Sequence, residues 1–370
     1  ASINFGQQPF LGTEPTGYVK LSSANLPDPT ILFPNKHFDT VLYTGNGGTQ
    51  SITGLNFAPD WTWLKERTDA STYHVLFDAV RGVTKAIYTN DTLAENTGTA
   101  FTSFDSDGFT LSLDTNQARS NDSGDSYVAW NWNGGGSTVT NTDGTISAQV
   151  RANASAGFSI VSYIATGSAG ATVGHGLGVK PDVIITKRRS DQSNWGVYHS
   201  TLGAGKSTFL NTTNAAIDNT TYYNDTEPTS TVFTLGGSNE SNGANGDTYI
   251  GYFFSEVAGY SKFGKYTGNG NADGTFVFTG FRPAWIMTKR TDSTSNWIIH
   301  DNKRDSYNVI YGNLIPNSSN AESTGSVRMD FVSNGFKHRN SDGGAANNIS
   351  GATYIYLAFA ESPFKYARAR

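Results

Sequence analysis

Two recurring carboxylates are the first feature of this sequence that could support catalysis. Asp78 and Asp301 occupy equivalent places in a repeated pattern described below, and glycoside hydrolysis requires two carboxyl groups about 5 to 9 Å apart. A polysaccharide-cleaving site is therefore one hypothesis. A carboxylate that recurs with a repeat is more often a turn or ion-pair residue, and the candidate pairs are Lys65 with Asp78 and Lys289 with Asp301.

Two tryptophans suggest a different chemistry, the binding of a sugar. Trp195 and Trp297 each follow a polar loop that ends in Ser-Asn, which makes them candidates for an exposed loop edge. An exposed ring stacks on the apolar face of a sugar while neighbouring polar groups bind its hydroxyls. The charged residues placed to form such a rim are Arg188, Asp191, Arg290, Asp292 and Asp301. Core packing is the alternative for both rings, because large rings on strands usually fill a sandwich.

Other motifs favour structural roles. The Gly-Lys-Ser at 205–207 matches the end of a phosphate-binding loop, but the first glycine of that motif is missing, which favours an ordinary turn. Residues 105–108 and 271–274 place oxygen ligands at alternate positions, as calcium loops do, yet both are short and favour turns. His199 and His300 are equivalent in the repeat and are interpreted as structural. We predict no catalytic residue, no metal and no cofactor.

Composition and charge exclude several classes of protein. Charged residues make up 15% of the chain, the net charge is −5, and the scattered Lys and Arg form no basic face for nucleic acid. No apolar run approaches the roughly 18 residues of a membrane helix, so we expect no membrane insertion. The absence of Cys excludes disulfides and thiolate sites. Aromatic residues reach 13%, which together with abundant Gly, Ser, Thr and Asn favours β structure.

Four sequence elements recur in the same order along the chain, and such repetition is the strongest signal present. A Gly-rich opener stands at 43–47, 163–167 and 266–270. A Pro-led element stands at 59–69, 181–191 and 283–292. A hairpin signal stands at 106–109 and 333–336 and is replaced in the middle copy by 232–235. An aromatic closer stands at 127–132, 249–254 and 354–359.

Each of these elements is interpreted as a strand. In the first Pro-led element, Trp61, Trp63 and Lys65 share one face by the period of two, and the Lys is expected where the strand emerges into solvent. Asp-Gly and Asn-Gly in the hairpin signals are turn sequences. Strands at short spacing without helical periodicity predict an all-β fold of three tandem antiparallel β-sandwich modules, jelly-roll or lectin-like.

The repeats also predict domain boundaries. We expect an extended segment at 1–36, sandwich modules at 37–136, 157–263 and 264–370, and a linker at 137–156. The Gly- and Thr-rich composition at 134–144 suits a flexible linker, about which the first module would swing. The Pro-punctuated first 36 residues are expected to run extended along a neighbour.

Two parts of the chain resemble known families. Residues 4–10, Asn-Phe-Gly-Gln-Gln-Pro-Phe, with 15–18, Pro-Thr-Gly-Tyr, resemble the closing strand and tail of a SPRY domain, whose body would lie upstream of Ala1. The remainder begins with Phe-Asp-Thr-Val-Leu-Tyr-Thr-Gly-Asn-Gly at 38–47 and ends with Phe-Lys-Tyr-Ala-Arg-Ala-Arg at 364–370. It resembles the C-terminal region of tail-fibre or structural virion proteins from tailed phages of marine bacteria.

The resemblance implies a virion-located tail-fibre or appendage component that attaches to a host cell-surface glycan or protein without catalysis. Its further partners would be other virion proteins, and a homo-oligomer is expected, with a trimer favoured. Weak sites repeated on one chain gain avidity, which suits host attachment. Two alternatives stay open. One is a capsid-decorating or filament protein, whose uncharged polar surface serves protein contacts, and the other is a polysaccharide depolymerase.

Overall fold

The chain folds into antiparallel β-sheets, and the prediction of an all-β fold is confirmed. The computed structural model describes residues 28–97, 100–113, 118–341 and 347–367. Helical structure in these residues is limited to the 3₁₀ turns Pro34–Lys36 and Ala154–Ala156. None of the described helices is long and apolar enough to cross a membrane. The SPRY-like stretch at 4–18 lies outside the described residues.

Residues 38–132, which we call the first segment, form one large and one small sheet. Their strands are β1 (Phe38–Thr44), β2 (Gln50–Thr53), β3 (Trp61–Glu66), β4 (Val75–Asp78), β5 (Lys85–Tyr88), β6 (Asn96–Thr97), β7 (Phe101–Asp105), β8 (Gly108–Leu111) and β9 (Ser126–Trp132). The large sheet has the order β1-β9-β3-β4-β5-β6 and the small sheet β2-β8-β7. The closer strand β9 therefore lies between the opener β1 and the Pro-led strand β3.

Residues 139–254, the second segment, follow the same plan with an extension. Their strands are β10 (Val139–Asn141), β11 (Ala148–Asn153), β12 (Phe158–Ile164), β13 (Thr172–Gly174), β14 (Val183–Arg188), β15 (Trp195–His199), β16 (Lys206–Phe209), β17 (Ile217–Asp218), β18 (Val232–Thr234) and β19 (Thr248–Phe254). The large sheet has the order β10-β11-β12-β19-β14-β15-β16-β17, and β13 pairs with β18. The extension, β10 and β11, lies in the stretch expected to be a linker.

Residues 261–363, the third segment, form the smallest version. Their strands are β20 (Ser261–Thr267), β21 (Phe276–Phe278), β22 (Phe281–Arg290), β23 (Trp297–Asp301), β24 (Met329–Val332), β25 (Gly335–His338) and β26 (Thr353–Pro363). The large sheet has the order β20-β26-β22-β23 and the small sheet β21-β25-β24. Here too the closer β26 lies between the opener and the Pro-led strand.

The two hairpin signals form tight turns, as predicted. Asp105 pairs with Gly108 and Val332 with Gly335 across two-residue connections. Glycine is required after each turn because the neighbouring strand passes so close. A Cβ at Gly108 would lie 1.8 Å from the carbonyl oxygen of Ile52, and one at Gly335 would lie 2.0 Å from that of Val277.

The large sheets of the three segments pack around one shared core. Ring centroids of Trp61 and Phe254 lie 5.9 Å apart, those of Trp132 and Phe359 5.6 Å apart, and those of Phe254 and Phe359 5.8 Å apart. All seven tryptophans are fully buried. A first segment that shares its core with the other two is not free to swing about residues 137–156, so that expectation was wrong. Ile31, in the stretch before β1, also lies in this core.

Candidate functional site

Trp195 and Trp297 lie in the interior and not at a loop edge. Both rings are fully buried. The indole N–H of Trp195 donates to the carbonyl oxygen of Tyr88 in the first segment at 2.8 Å, and that of Trp297 donates to the carbonyl oxygen of Phe209 in the second segment at 2.8 Å. A ring held in this way cannot stack on a sugar. The loop-edge hypothesis was wrong for both residues, and they pack in the core.

Asp301, the third buried member of the predicted site, is bound by groups of the protein itself. Its carboxylate accepts hydrogen bonds from the guanidinium of Arg304 and, at 3.0 Å, from the indole N–H of Trp130 in the first segment. Burial alone would raise the pKa of Asp301, but the charge and hydrogen bonds of Arg304 outweigh it and the pKa lies below its ordinary value. The carboxylate is ionised and structural.

The equivalent positions in the other segments make the same kind of contact. Asp78 binds the guanidinium of Arg81 and accepts a hydrogen bond from the Tyr252 hydroxyl of the second segment at 2.8 Å. In the second segment the position is His199, whose Nε2 lies 3.3 Å from the carbonyl oxygen of Tyr356 in the third segment. The strand pairing thus aligns His199 with Asp301 and not with His300, so the expected equivalence of the two histidines was wrong. Each position thus contacts a different neighbouring segment. These contacts explain why the carboxylates recur.

The repeated lysines are buried at the boundaries between segments, so two predictions about them were wrong. They do not emerge into solvent, and their bonds go to backbone carbonyls and to the hydroxyls of Thr72 and Ser193, not to Asp78 or Asp301. Across the boundaries their ammonium groups donate as follows: Lys65 to the carbonyl of Ser319 at 3.3 Å, Lys187 to that of Thr92 at 3.0 Å and Lys289 to that of Thr213 at 2.9 Å. Burial lowers their pKa values, to about 8 for Lys65 and about 7 for Lys187 and Lys289. Carbonyl oxygens there replace the water that a Lys normally requires.

A further set of bonds joins the segments in the same cyclic order. The backbone N–H groups donate across the boundaries as follows: Glu95 to the carbonyl of Arg189 at 2.9 Å, Ala216 to that of Thr291 at 2.9 Å and Glu322 to that of Arg67 at 2.8 Å. At two of these boundaries the side chains of the same two residues also form an ion pair. The distance is 2.8 Å for Arg189 and Glu95 and 2.7 Å for Arg67 and Glu322. The third boundary has Thr291 and Ala216 instead. The order closes into a ring because the third segment contacts the first.

The other predicted site residues lie where the strands end. Arg188 pairs with Asp247 at 2.8 Å and with Asp191 at 3.4 Å, and Arg290 pairs with Asp292 at 2.8 Å. These pairs are partly exposed, whereas the tryptophans and Asp301 are buried. The structure therefore does not bring the seven predicted residues together into one site.

The loops at these strand ends form a common surface, which we call the loop end. Contacts between segments join residues at corresponding positions along the strands of neighbouring sheets. Equivalent strand ends of all three segments therefore lie at the same end of the molecule. The loop end comprises residues 45–49, 67–74, 119–125, 165–171, 189–194, 235–247, 268–275, 291–296 and 347–352. Asp28 and Lys365, which form an ion pair at 2.8 Å, lie at the opposite end.

Buried asparagines hold the opener loops at the loop end, and the sequence analysis missed them. Their side-chain amides donate to loop carbonyl oxygens as follows: Asn121 to Gly48 at 2.6 Å, Asn242 to Ser168 at 2.9 Å and Asn348 to Asn271 at 3.0 Å. Beneath each loop a pair of tyrosines from the opener and closer strands stacks, with interplanar angles of 9° to 10°. The signal that could have identified these residues is an Asn shortly before the closer in every copy.

The turns considered as metal or phosphate loops are bound by the chain's own side chains. Asp105 accepts hydrogen bonds from the hydroxyls of Ser103 and Thr110, each at 2.7 Å. Lys206 of the Gly-Lys-Ser motif begins β16 and pairs with Asp218 at 2.7 Å. In the described part of the chain, no three His, Cys, Asp or Glu side chains are grouped so as to hold a metal ion.

Comparison with protein families identifies the chain as a member of one of them. Residues 33–363 match the family described as a domain of unknown function, DUF7483, and the chain belongs to that family. Comparisons with curated proteins and with solved structures give no match.

Proposed function

We propose that this member of DUF7483 is a structural component of a phage virion, a tail-fibre or appendage part that attaches to a host-cell surface without catalysis. The resemblance of residues 38–370 to virion proteins of marine phages is the starting point. The structural observation that best supports it is the loop end, where loops of all three segments lie together on one surface. Such a surface offers several contacts to one partner at the same time.

The chemistry of the loop end favours a cell-surface glycan as the ligand. Exposed side chains there include Asn46, Ser168, Gln192, Asn269 and Asp292. Amide, hydroxyl and carboxylate groups of this kind bind the hydroxyls of sugars. The three loop sets differ in sequence. Each contact is individually weak, and affinity comes from simultaneous contacts. A trimeric assembly stays a prediction. One chain already arranges three sheets around a common core, so a single chain already brings the three sets of loops together.

Two experiments test the proposal: antibody labelling of particles and competition for adsorption to host cells. Gold-labelled antibody against the full chain should mark the tail or its appendages on particles of the phage that encodes the chain. The purified chain should also slow adsorption of those particles to host cells. A variant with Ser168, Gln192 and Thr294, all exposed at the loop end, changed to Ala should lose this inhibition, while Lys303→Ala, at the opposite end, should keep it. Labelling over the capsid would favour decoration, and shortened host polysaccharide would favour depolymerisation, and either result would overturn the proposal.

A further inference from the structure

The second segment contains an added strand that has no counterpart among the described residues of the first segment. β11 pairs with the outer edge of the opener strand β12, from Ala148 opposite Tyr163 to Asn153 opposite Phe158. Just before β11, Ile146 bridges Val173 at the edge of the small sheet. The added strand therefore covers the edges of both sheets. Three apolar side chains of residues 146–150 are buried in the sandwich: Ile146, Ala148 and Val150.

The opener strands of the other two segments have no such neighbour among the described residues. β1 pairs with β9 alone, and β20 with β26 alone. The pairing registers make the three openers directly comparable, because Trp132, Phe254 and Phe359 occupy the same position in the closers. By this register Leu42 of β1, Ser162 of β12 and Lys265 of β20 are equivalent.

The two open edges differ in a way that singles out β1. Lysines protect a sheet edge from pairing with another chain, and β20 carries Lys262 and Lys265, whereas β1 has neither Lys nor Pro. The side chains beneath the edge differ as well. Val161 and Tyr163 are fully buried under β11, but their equivalents in β1, Val41 and Tyr43, are only half-buried.

Within the described part of the chain, the outward backbone groups of β1 that have no hydrogen-bond partner centre on Leu42, since the Thr44 carbonyl accepts from the side chain of Gln50. The N–H of Gly45 donates to Asp125 and that of Asn133 to His37, so the odd-numbered residues of β1 bond to β9 and the even-numbered ones point outward. The N–H of Thr40 is bound by the Asp39 carboxylate at 2.8 Å. Leu42, which is 40% exposed, is the central outward position.

We propose that the outer edge of β1 binds an extended strand of another polypeptide, in the manner in which β12 binds β11. The partner strand runs antiparallel to β1, with small apolar residues at alternate positions that complete the burial of Val41 and Tyr43. Main-chain hydrogen bonds supply the affinity and the alternating side chains the specificity. The inference rests on the comparison of three edges within one chain and does not depend on the virion proposal.

A peptide copied from the chain itself provides the test. A fluorescent peptide of residues 143–153 should bind the full-length chain saturably, and hydrogen exchange at the amide of Leu42 should slow at least tenfold when the peptide is saturating. The same peptide with Val150→Lys is the control and should bind at least tenfold more weakly. Protection confined to β12 would mean that the peptide only replaces β11 and would overturn the proposal. Protection of β1 that rises with protein concentration, without peptide, would assign the edge to a second copy and also overturn it.

Substitutions at Leu42 separate edge binding from loss of folding. Leu42→Pro removes an outward N–H that makes no bond to β9, so the fold should persist while peptide affinity falls at least tenfold. Leu42→Lys copies the residue of the protected edge and should also weaken binding. Leu42→Ser copies Ser162, whose strand accepts β11, and should bind within about threefold of the original chain. Equal affinity of the Pro and Ser variants would contradict the proposal.

Discussion

Trp297 donates its indole N–H to the carbonyl oxygen of Phe209 at 2.8 Å, across the boundary between the third and second segments. Trp195 makes the equivalent bond to Tyr88 across the preceding boundary. A buried donor without a partner costs free energy, so these bonds fix how the neighbouring sheets meet. The repeated tryptophans therefore serve the assembly of the segments.

Replacing Trp297 by Phe should destabilise the protein through this bond. The change removes the donor and leaves the Phe209 carbonyl only a long bond from the N–H of Thr212 at 3.5 Å, so we expect a cost of about 1–3 kcal/mol. Trp285→Phe is the matched control, because Trp285 is equally buried but its indole nitrogen has no hydrogen-bond partner among the described residues. Urea unfolding should show the larger loss of free energy for Trp297→Phe. Equal losses would contradict a specific role for the bond.

The boundary without an ion pair can be given one. Thr291 and Ala216 stand where the other boundaries have Arg and Glu, and the backbone bond between them is already present at 2.9 Å. The double variant Thr291→Arg with Ala216→Glu should gain a favourable coupling of about 0.2–1 kcal/mol, the usual range for a partly exposed pair. A double-mutant cycle of urea unfolding measures that coupling. A coupling of zero or of the opposite sign would indicate that the three boundaries are not equivalent.

The buried lysines predict that stability rises with pH above neutrality. Their pKa values in the folded chain, about 7 for Lys187 and Lys289 and about 8 for Lys65, lie below the 10.5 of an ordinary Lys. Between about pH 7 and 10 the unfolded chain binds more protons, so the free energy of unfolding increases with pH. The urea midpoint should be higher at pH 9 than at pH 7. The gain in the urea midpoint should be smaller in Lys289→Met. An unchanged gain would show that Lys289 does not contribute to the rise in stability with pH.

Buried histidines predict a loss of stability in acid. Burial lowers the pKa of His199 to about 4 and those of His300 and His338 to about 3, against 6.5 for an ordinary His. The unfolded chain then binds more protons below about pH 6.5, so the contribution present at neutral pH is lost as the pH falls toward 4. Urea midpoints at pH 7 and pH 5 measure this loss. His338→Leu should reduce it, because no described residue bonds the ring nitrogens of His338.

The sequence predicted the local structure well, because strands and tight turns depend on near neighbours. The alternation around Trp61 and Trp63 indicated a strand, and Asp107-Gly108 indicated the hairpin found between Asp105 and Gly108. Both follow from the period of two and from the close approach of Ile52 to Gly108. The repeat order also placed the closer elements correctly as strands. The openers were only partly strands, because each begins at a strand end and its glycine lies in the loop that follows.

The contacts between segments could not be derived in the same way. Whether Lys187 reaches solvent or the carbonyl of Thr92, 95 positions earlier, depends on how two sheets pack and not on the period of either strand. The same holds for Trp195, whose polar flanking loop suggested exposure. Periodicity assigns a residue to a face of its own sheet, but it does not show what covers that face.

Calorimetric unfolding of the intact chain tests most directly whether the three segments form one unit. A single transition is expected, with a calorimetric enthalpy close to the van't Hoff enthalpy, because the sheets share a core and the third segment closes against the first. Three segments that unfold independently would instead give separate transitions, or a calorimetric enthalpy about three times the van't Hoff value. That result would contradict the closed arrangement from which the loop end is derived.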